Sequence, residues 1–177
     1  LIKPAVIQIL QKYPNVELHL VGHLDIPKEL RDFENQLVFH DYVDWQVLPQ
    51  LIADIDINLA PLVDTVFNRA KSEIKWIEAA LVKVPTLASQ IGAFSEMIRD
   101  GETGVLVPDS AWFEKLEKVI LSQAYRKEIG EKAYDFVIKN CVTDEHQDEL
   151  ISKYHDYALS KDAQKQNDLT FIALNTL

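Results

Sequence analysis

The sequence predicts an α/β fold in which a parallel sheet carries helices on both faces. Three observations lead there. Short apolar runs alternate with amphipathic helical patterns of about 8 to 15 residues, and such alternation makes parallel strands joined by helical crossovers. Prolines and glycines punctuate the changes of pattern, at Pro14, Gly22, Pro61 and Pro85. The chain has 177 residues, of which 47% are apolar and 26% charged, which is enough for one domain with a core and short for two.

In KPAVIQILQKYPNV, Val6, Ile7, Ile9 and Leu10 stand at helical spacing, and Pro14 ends the pattern. Val16 to Gly22 reads as a strand closing on a glycine turn. His19 within it is expected as a core or edge residue, since no partner at metal-ligand spacing lies nearby. A short helical piece from Pro27 to Phe33 precedes a second strand, Leu37 to Val43. Asp44 is placed to cap a helix from Trp45 to Ala53, with Leu48, Leu51 and Ile52 facing inward. Ile55 to Leu62 alternates apolar and polar residues at period two, and a loop from Val63 to Arg69 follows. After the next helix, PTLAS and GVLV supply further strands, with Gly101 to Gly104 as a tight turn that uses glycine's access to positive φ. From Ala111 the pattern is helical only. Trp112, Phe113, Leu116, Val119 and Ile120 form one stripe; Tyr125, Ile129, Ala133, Phe136 and Val137 form a second; Leu150, Ile151, Tyr154 and Ala158 form a third. The expected division is a sheet domain over residues 1–140 and a C-terminal helix and tail over 141–177. The tail's apolar end, FIAL, has no place in this reading.

The stretch FNRAKSEIKWIEAALVKVPTLAS, Phe67 to Ser89, organises the rest. On a helix, Lys71, Ile74, Lys75, Glu78 and Val82 fall on one side. Cations in a first turn oppose the partial positive charge there, and Lys71 repels Lys75 as an i,i+4 pair. An anion docked at that end would relieve both faults, because helix N-termini offer free N–H groups and lysine adds point charges suited to a diphosphate. The alternative is a solvated helix start in which Glu78 pairs with Lys75 at i,i+3. In open parallel sheets the ligand lies beyond the carboxyl ends of the strands, here the loops after Gly22, His40, Pro61, Ser89 and Val107. Gly92, Ala93 and Phe94 lie at that edge and open a helix, so they serve either as a turn or as a ligand contact.

A net charge of −10 argues against a broad nucleic-acid surface but leaves room for a nucleotide, which needs only a few local cations. No run approaches the roughly 18 apolar residues of a spanning helix, and the reading expects no leader. The single Cys141 forms no internal disulfide, which fits the cytoplasm, and it reads as a small buried residue rather than a catalytic thiol. No metal and no cofactor are called for.

The central stretch, followed by IGAFSEMIRDGETGVLVPD, resembles the donor-binding half of GT-B glycosyltransferases of the family 4 type, the glycosyl transferases group 1. A Lys-Ser start, Glu-Ala within the helix, Pro-Thr into a strand, then Gly-Ala-Phe and Asp-Gly-x-Thr-Gly run in that order from Lys71 to Val105. With the upstream spacing, the resemblance covers residues 1 to 140. It implies a Rossmann-like, C-terminal donor-binding half of a GT-B fold, N-terminally incomplete, with a C-terminal helical extension. It further implies a UDP- or GDP-sugar donor and a glycan or other acceptor bound through an N-terminal domain that these residues do not resemble. The reaction would run in the cytoplasm or at the cytoplasmic face of a membrane, and the chain by itself would be inactive. By the same resemblance Glu78 holds the ribose hydroxyls, the loop Asn68 to Ser72 lies against diphosphate and sugar through Lys71 and Ser72, and the segment with Asp41 and Tyr42 meets the base.

One departure stands out. Many members carry two acidic residues with seven others between them, and the first falls here on Ala70, so the sugar contact is either absent or supplied by a residue such as Asp64; no catalytic residue is assigned. The resemblance also implies that the first strand of the sheet is missing, leaving its two neighbours without a partner and an edge open to self-association. The competing reading is a non-catalytic nucleotide-binding or interaction module on the same fold.

Overall fold

The computed structural model describes residues 1–23, 26–141 and 169–174. Pro4 stands in the first turn of α1 (Lys3–Lys12), where its missing N–H has no intrahelical acceptor to lose. The strands β1 (Val16–Val21), β2 (Leu37–His40), β3 (Ile57–Ala60), β4 (Thr86–Ser89), β5 (Val105–Val107) and β6 (Leu169–Leu174) form one sheet in the order β2-β1-β6-β3-β4-β5. Every neighbouring pair is parallel. A 3-10 helix, Lys28–Gln36, leads into β2, and α2 (Leu48–Ala53), α3 (Val66–Arg69), α4 (Ile74–Leu81), α5 (Gly92–Met97), α6 (Trp112–Leu121) and α7 (Gln123–Asn140) make the other connections.

Both faces are covered. Ile57, Leu59, Leu87 and Val107 pack with Ile9 and Leu10 of α1 and Leu116 and Val119 of α6. On the opposite face the strands present the smaller Ala60 and Ala88, which let Trp76 and Ala80 of α4 and Ala133 and Val137 of α7 come close. Val21 closes a third cluster with Ile52 and Ala53 of α2 and Ala79 of α4. The stripes on α6 and α7 therefore bury as expected.

Several boundaries differ from the sequence reading. β2 ends at His40, so Asp41 and Tyr42 lie in the following loop. Asp44 does not cap the helix, which starts at Leu48 after an N-cap at Val47 and has Pro49 in its first turn; its Oδ1 instead accepts from the Gln46 N–H at 2.9 Å in the turn before it. β3 shows no alternation, since a strand inside a two-faced sheet is buried on both sides and even Asn58 is sealed from solvent. Part of the expected loop from Val63 is the short helix α3, capped by Thr65, whose Oγ1 accepts from the Asn68 N–H.

The largest correction concerns the tail. FIAL belongs to β6, which runs between β1 and β3 and pairs with Val16 to Val21 on one side and Ile57 to Leu59 on the other. The expected gap in the sheet is filled, and the sheet draws on both sides of the expected division at residue 140. The third helical stripe, with Leu150 and Ile151, lies outside the described residues.

Two backbone features lock α4 in place. Lys83 takes a left-handed conformation at φ 59°, and the Val84 N–H to Ala79 carbonyl and Lys83 N–H to Ala80 carbonyl bonds close the helix as a Schellman motif. Against that turn lies Gly130 of α7, where a Cβ would stand 2.1 Å from the Lys83 carbonyl oxygen.

Candidate functional site

At the carboxyl edge of the sheet, β3 and β4 are tied together where they end: the Leu62 N–H donates to the buried Ser89 Oγ at 2.8 Å. Beyond this tie, α3 and the turn into α4 enclose a cavity of about 340 Å³, lined by Ala60, Leu62, Phe67, Lys71, Ser72, Ile74, Lys75 and Phe94. Its floor is apolar and its rim is cationic. The Lys71 ammonium lies 5.0 Å from the Phe67 ring centroid, so a cation–π contact holds it over the cavity wall.

Burial lowers the pKa of Lys75 to about 8; the charge of Lys71 pushes the same way and that of Glu78 opposes it. One turn along α4, Glu78 has its carboxyl pushed up by burial, with Lys75 opposing. Burial thus opposes the charged form of both groups, and an anion beside Lys75 and hydroxyl donors to Glu78 would favour it. The sequence expectation that both lysines sit inside one helix needs correcting. α4 starts at Ile74, and Lys71 precedes it in a turn closed by the Lys71 N–H to Asn68 carbonyl bond. The two ammonium groups nevertheless reach one cavity. Val82, expected on their stripe, is buried on the α2 side instead.

Of the other residues singled out from sequence, Phe94 forms a buried wall. Gly92 opens α5 at φ +49°, and a Cβ there would stand 2.5 Å from the Arg69 carbonyl oxygen, so glycine is required for α5 to approach α3. Ala93 follows it without lining the cavity. Asn68 clamps the loop, donating from Nδ2 to the Val63 carbonyl at 2.8 Å. Asp41 and Tyr42 are exposed beyond β2 and do not line this cavity; the Tyr42 ring lies over Gly22. Asp64 is gripped in a two-pronged pair by Arg69, Nε to Oδ1 at 2.5 Å and a terminal nitrogen to Oδ2 at 2.7 Å, which holds its carboxyl below the usual range. It is therefore engaged rather than free to replace an acid at Ala70.

Sequence reasoning missed Ala60, Leu62 and Phe67 as lining, and it missed the buried polar residues behind them. An asparagine in an otherwise apolar strand was the available signal. Asn58 donates from Nδ2 to the Lys75 carbonyl (3.1 Å) and to Thr86 Oγ1 (3.0 Å). Next along α4, the Trp76 indole N–H donates to the Thr103 carbonyl at 2.7 Å. His19 shares hydrogen bonds with His40 (3.1 Å) and Glu17 (3.3 Å) on the sheet, and among the described residues no cluster of His, Cys, Asp and Glu is arranged to hold a metal ion. Burial, with Glu73 adding to it, pushes the Cys141 thiol up, away from the reactive thiolate. Among the described residues no helix is long and apolar enough to cross a membrane.

The family described as Glycosyl transferases group 1 matches residues 1–122. The chain belongs to that family. A relative, the phosphatidyl-myo-inositol mannosyltransferase of Mycobacterium tuberculosis, is 31% identical over 108 residues, covering 59% of this chain and 27% of the relative. The chain thus spans about a quarter of that relative's length (27%). Among solved structures, the C-terminal domain of a glycosyl transferase group 1 family protein (LpcC) from Francisella tularensis superposes with a TM-score of 0.61 at 27% identity, over 77% of this chain and 75% of that one. Anabaena HepE, solved in complex with UDP-glucose, has a TM-score of 0.63 at 17% identity, covering 92% of this chain and 45% of HepE, and shares the fold. The parallel sheet with helices on both faces is thus that of a GT-B C-terminal domain.

Proposed function

We propose that this group 1 domain binds a nucleotide-sugar, UDP- or GDP-linked, at the carboxyl edge of its sheet, for transfer of the sugar to a glycan or other acceptor. The observation that carries the reading is the meeting of Lys71, Ser72 and Lys75 at one cavity with Glu78 one turn along the same helix. In such a transfer the bond from the sugar C1 to the diphosphate breaks, and negative charge grows on the departing phosphate. Two ammonium groups and the positive end of the α4 dipole supply the stabilisation that charge needs. Glu78, when ionised, accepts from two adjacent ribose hydroxyls at once. Its half-buried place fits that task, because the carboxylate loses water that the hydroxyls replace.

With Ala70 at the usual acidic position and Asp64 held by Arg69, neither of these two positions offers a free carboxylate to the sugar. That feature favours the second reading, a nucleotide-binding module without transfer activity. In the first reading the acceptor, and the groups that activate it, come from outside these residues, and the site works in the cytoplasm, in keeping with a single cysteine.

The test is calorimetry with UDP, GDP and their sugar conjugates on the parent and on Glu78→Gln. Replacement of the carboxylate removes a charge-assisted hydrogen bond of about 1.5 to 3 kcal/mol, so affinity should fall roughly ten- to a hundredfold while the melting temperature holds. Unchanged affinity with a large loss of melting temperature would make Glu78 a structural residue.

A further inference from the structure

Asn58 is fully buried within β3, facing α4; it lies level with Thr86 of β4, and the next residues on the same face of β3 and β4 are Ala60 and Ala88. Its amide nitrogen has two acceptors, the Lys75 carbonyl and Thr86 Oγ1, whereas its Oδ1 has no partner among the described residues. Leaving a buried carbonyl oxygen unpartnered is costly, and an aliphatic residue in a strand covered on both faces would avoid that cost. The gain that offsets it is visible in what the amide holds. The N-cap of α4, Glu73, makes no side-chain cap hydrogen bond, so the first turn depends on bonds to the rest of the fold. Asn58 pins that turn to the sheet at Lys75, and Trp76, one residue on, is pinned by its indole bond to Thr103.

We propose that Asn58 is a positioning residue: by holding the Lys75 carbonyl it fixes the first turn of α4 so that the Lys75 ammonium stands at the cavity beside Lys71. The claim about the helix turn stands on geometry alone, and its consequence for nucleotide affinity rests on the donor-site reading above. Removing the amide frees the turn to shift toward water, which lessens both the desolvation of Lys75 and its nearness to Lys71.

The experiment uses the full chain with Asn58→Leu and, to guard against misfolding of a larger side chain, Asn58→Val, which suits a strand and carries no donor. Competitive acetylation of Lys75 across pH, read by mass spectrometry without any ligand, is run beside UDP titration and thermal melting. In the parent, Lys75 should titrate near its depressed value of about 8. In the variants the titration should move toward the ordinary lysine value of 10.5, UDP affinity should fall by about tenfold, and the melting temperature should stay level or rise. A Lys75 titration unchanged in both variants overturns the proposal, whatever happens to the melting temperature. If the parent binds neither UDP nor GDP, the donor-site reading fails, and the Lys75 titration alone decides the role of Asn58.

Discussion

A proline at Ile172 should lower the melting temperature of this domain by several degrees. β1 and β3 are not bonded to each other; each pairs with β6, and Ile172 lies level with His19 on one side and Asn58 on the other. Proline removes a ladder donor, its ring is tolerated essentially only at sheet edges or bulges, and the buried carbonyl left unpaired at this central position costs up to about 3 kcal/mol. The sheet would separate into β2-β1 and β3-β4-β5, each with a new open edge. Against a total stability of roughly 5 to 15 kcal/mol that is a large share, equal to a fall in melting temperature of about 6 to 12 °C. Circular dichroism melts of Ile172→Pro and of Ile172→Val, which keeps the backbone donor, separate the backbone effect from any side-chain effect. A proline variant melting with the parent would show that β6 does not hold the centre of the sheet.

Gly130→Ala should be nearly as damaging, and its sign is informative. In a helix interior alanine exceeds glycine by about 1 kcal/mol, so propensity alone predicts a more stable protein. Here the added Cβ would lie 2.1 Å from the Lys83 carbonyl oxygen, a backbone atom held by the left-handed turn at the end of α4. Relief requires α7 to move away from α4, drawing Ala133 and Val137 off Trp76 and Ala80. Overpacking of this kind costs about 3 kcal/mol, which outweighs the propensity gain. Denaturant unfolding should show a lower midpoint at unchanged slope; a raised midpoint would mean that the two helices are not locked together at this point.

Much of this architecture was legible from local pattern. The period of Val6, Ile9 and Leu10, the stripes on α6 and α7, and the alternation of strand and helix all express short-range rules, and they appear as read. Lys71, Ser72, Lys75 and Phe94, each singled out from sequence, line one cavity, with Lys71 arriving from a turn rather than from the helix. What escaped depends on partners distant in sequence. Nothing local says that Leu169 to Leu174 will pair with strands more than a hundred residues earlier. Nothing local says that Gly130 meets Lys83, that a lysine rather than a glycine takes the left-handed cap, or that Asn58 reaches the Lys75 carbonyl. Asp64 was legible as an acid near the site, but only its pairing with Arg69 decides whether it is free.

The central claim is that Lys75, at the cavity edge, answers to the phosphates of a bound nucleotide, and proton-linked calorimetry tests it most directly. In the free domain the Lys75 pKa is about 8, so near that pH part of the population lacks the proton. A diphosphate beside it favours the charged form and raises its pKa, so binding must take up protons, and the affinity is full below pH 8 and falls as pH rises through the bound-state value. Titrating UDP at pH 8 in two buffers of different ionisation enthalpy should give heats that differ by the uptake of a fraction of a proton, and Lys75→Gln should abolish the difference. Binding heats that are identical in the two buffers, or an affinity that rises with pH above 8, would contradict the account.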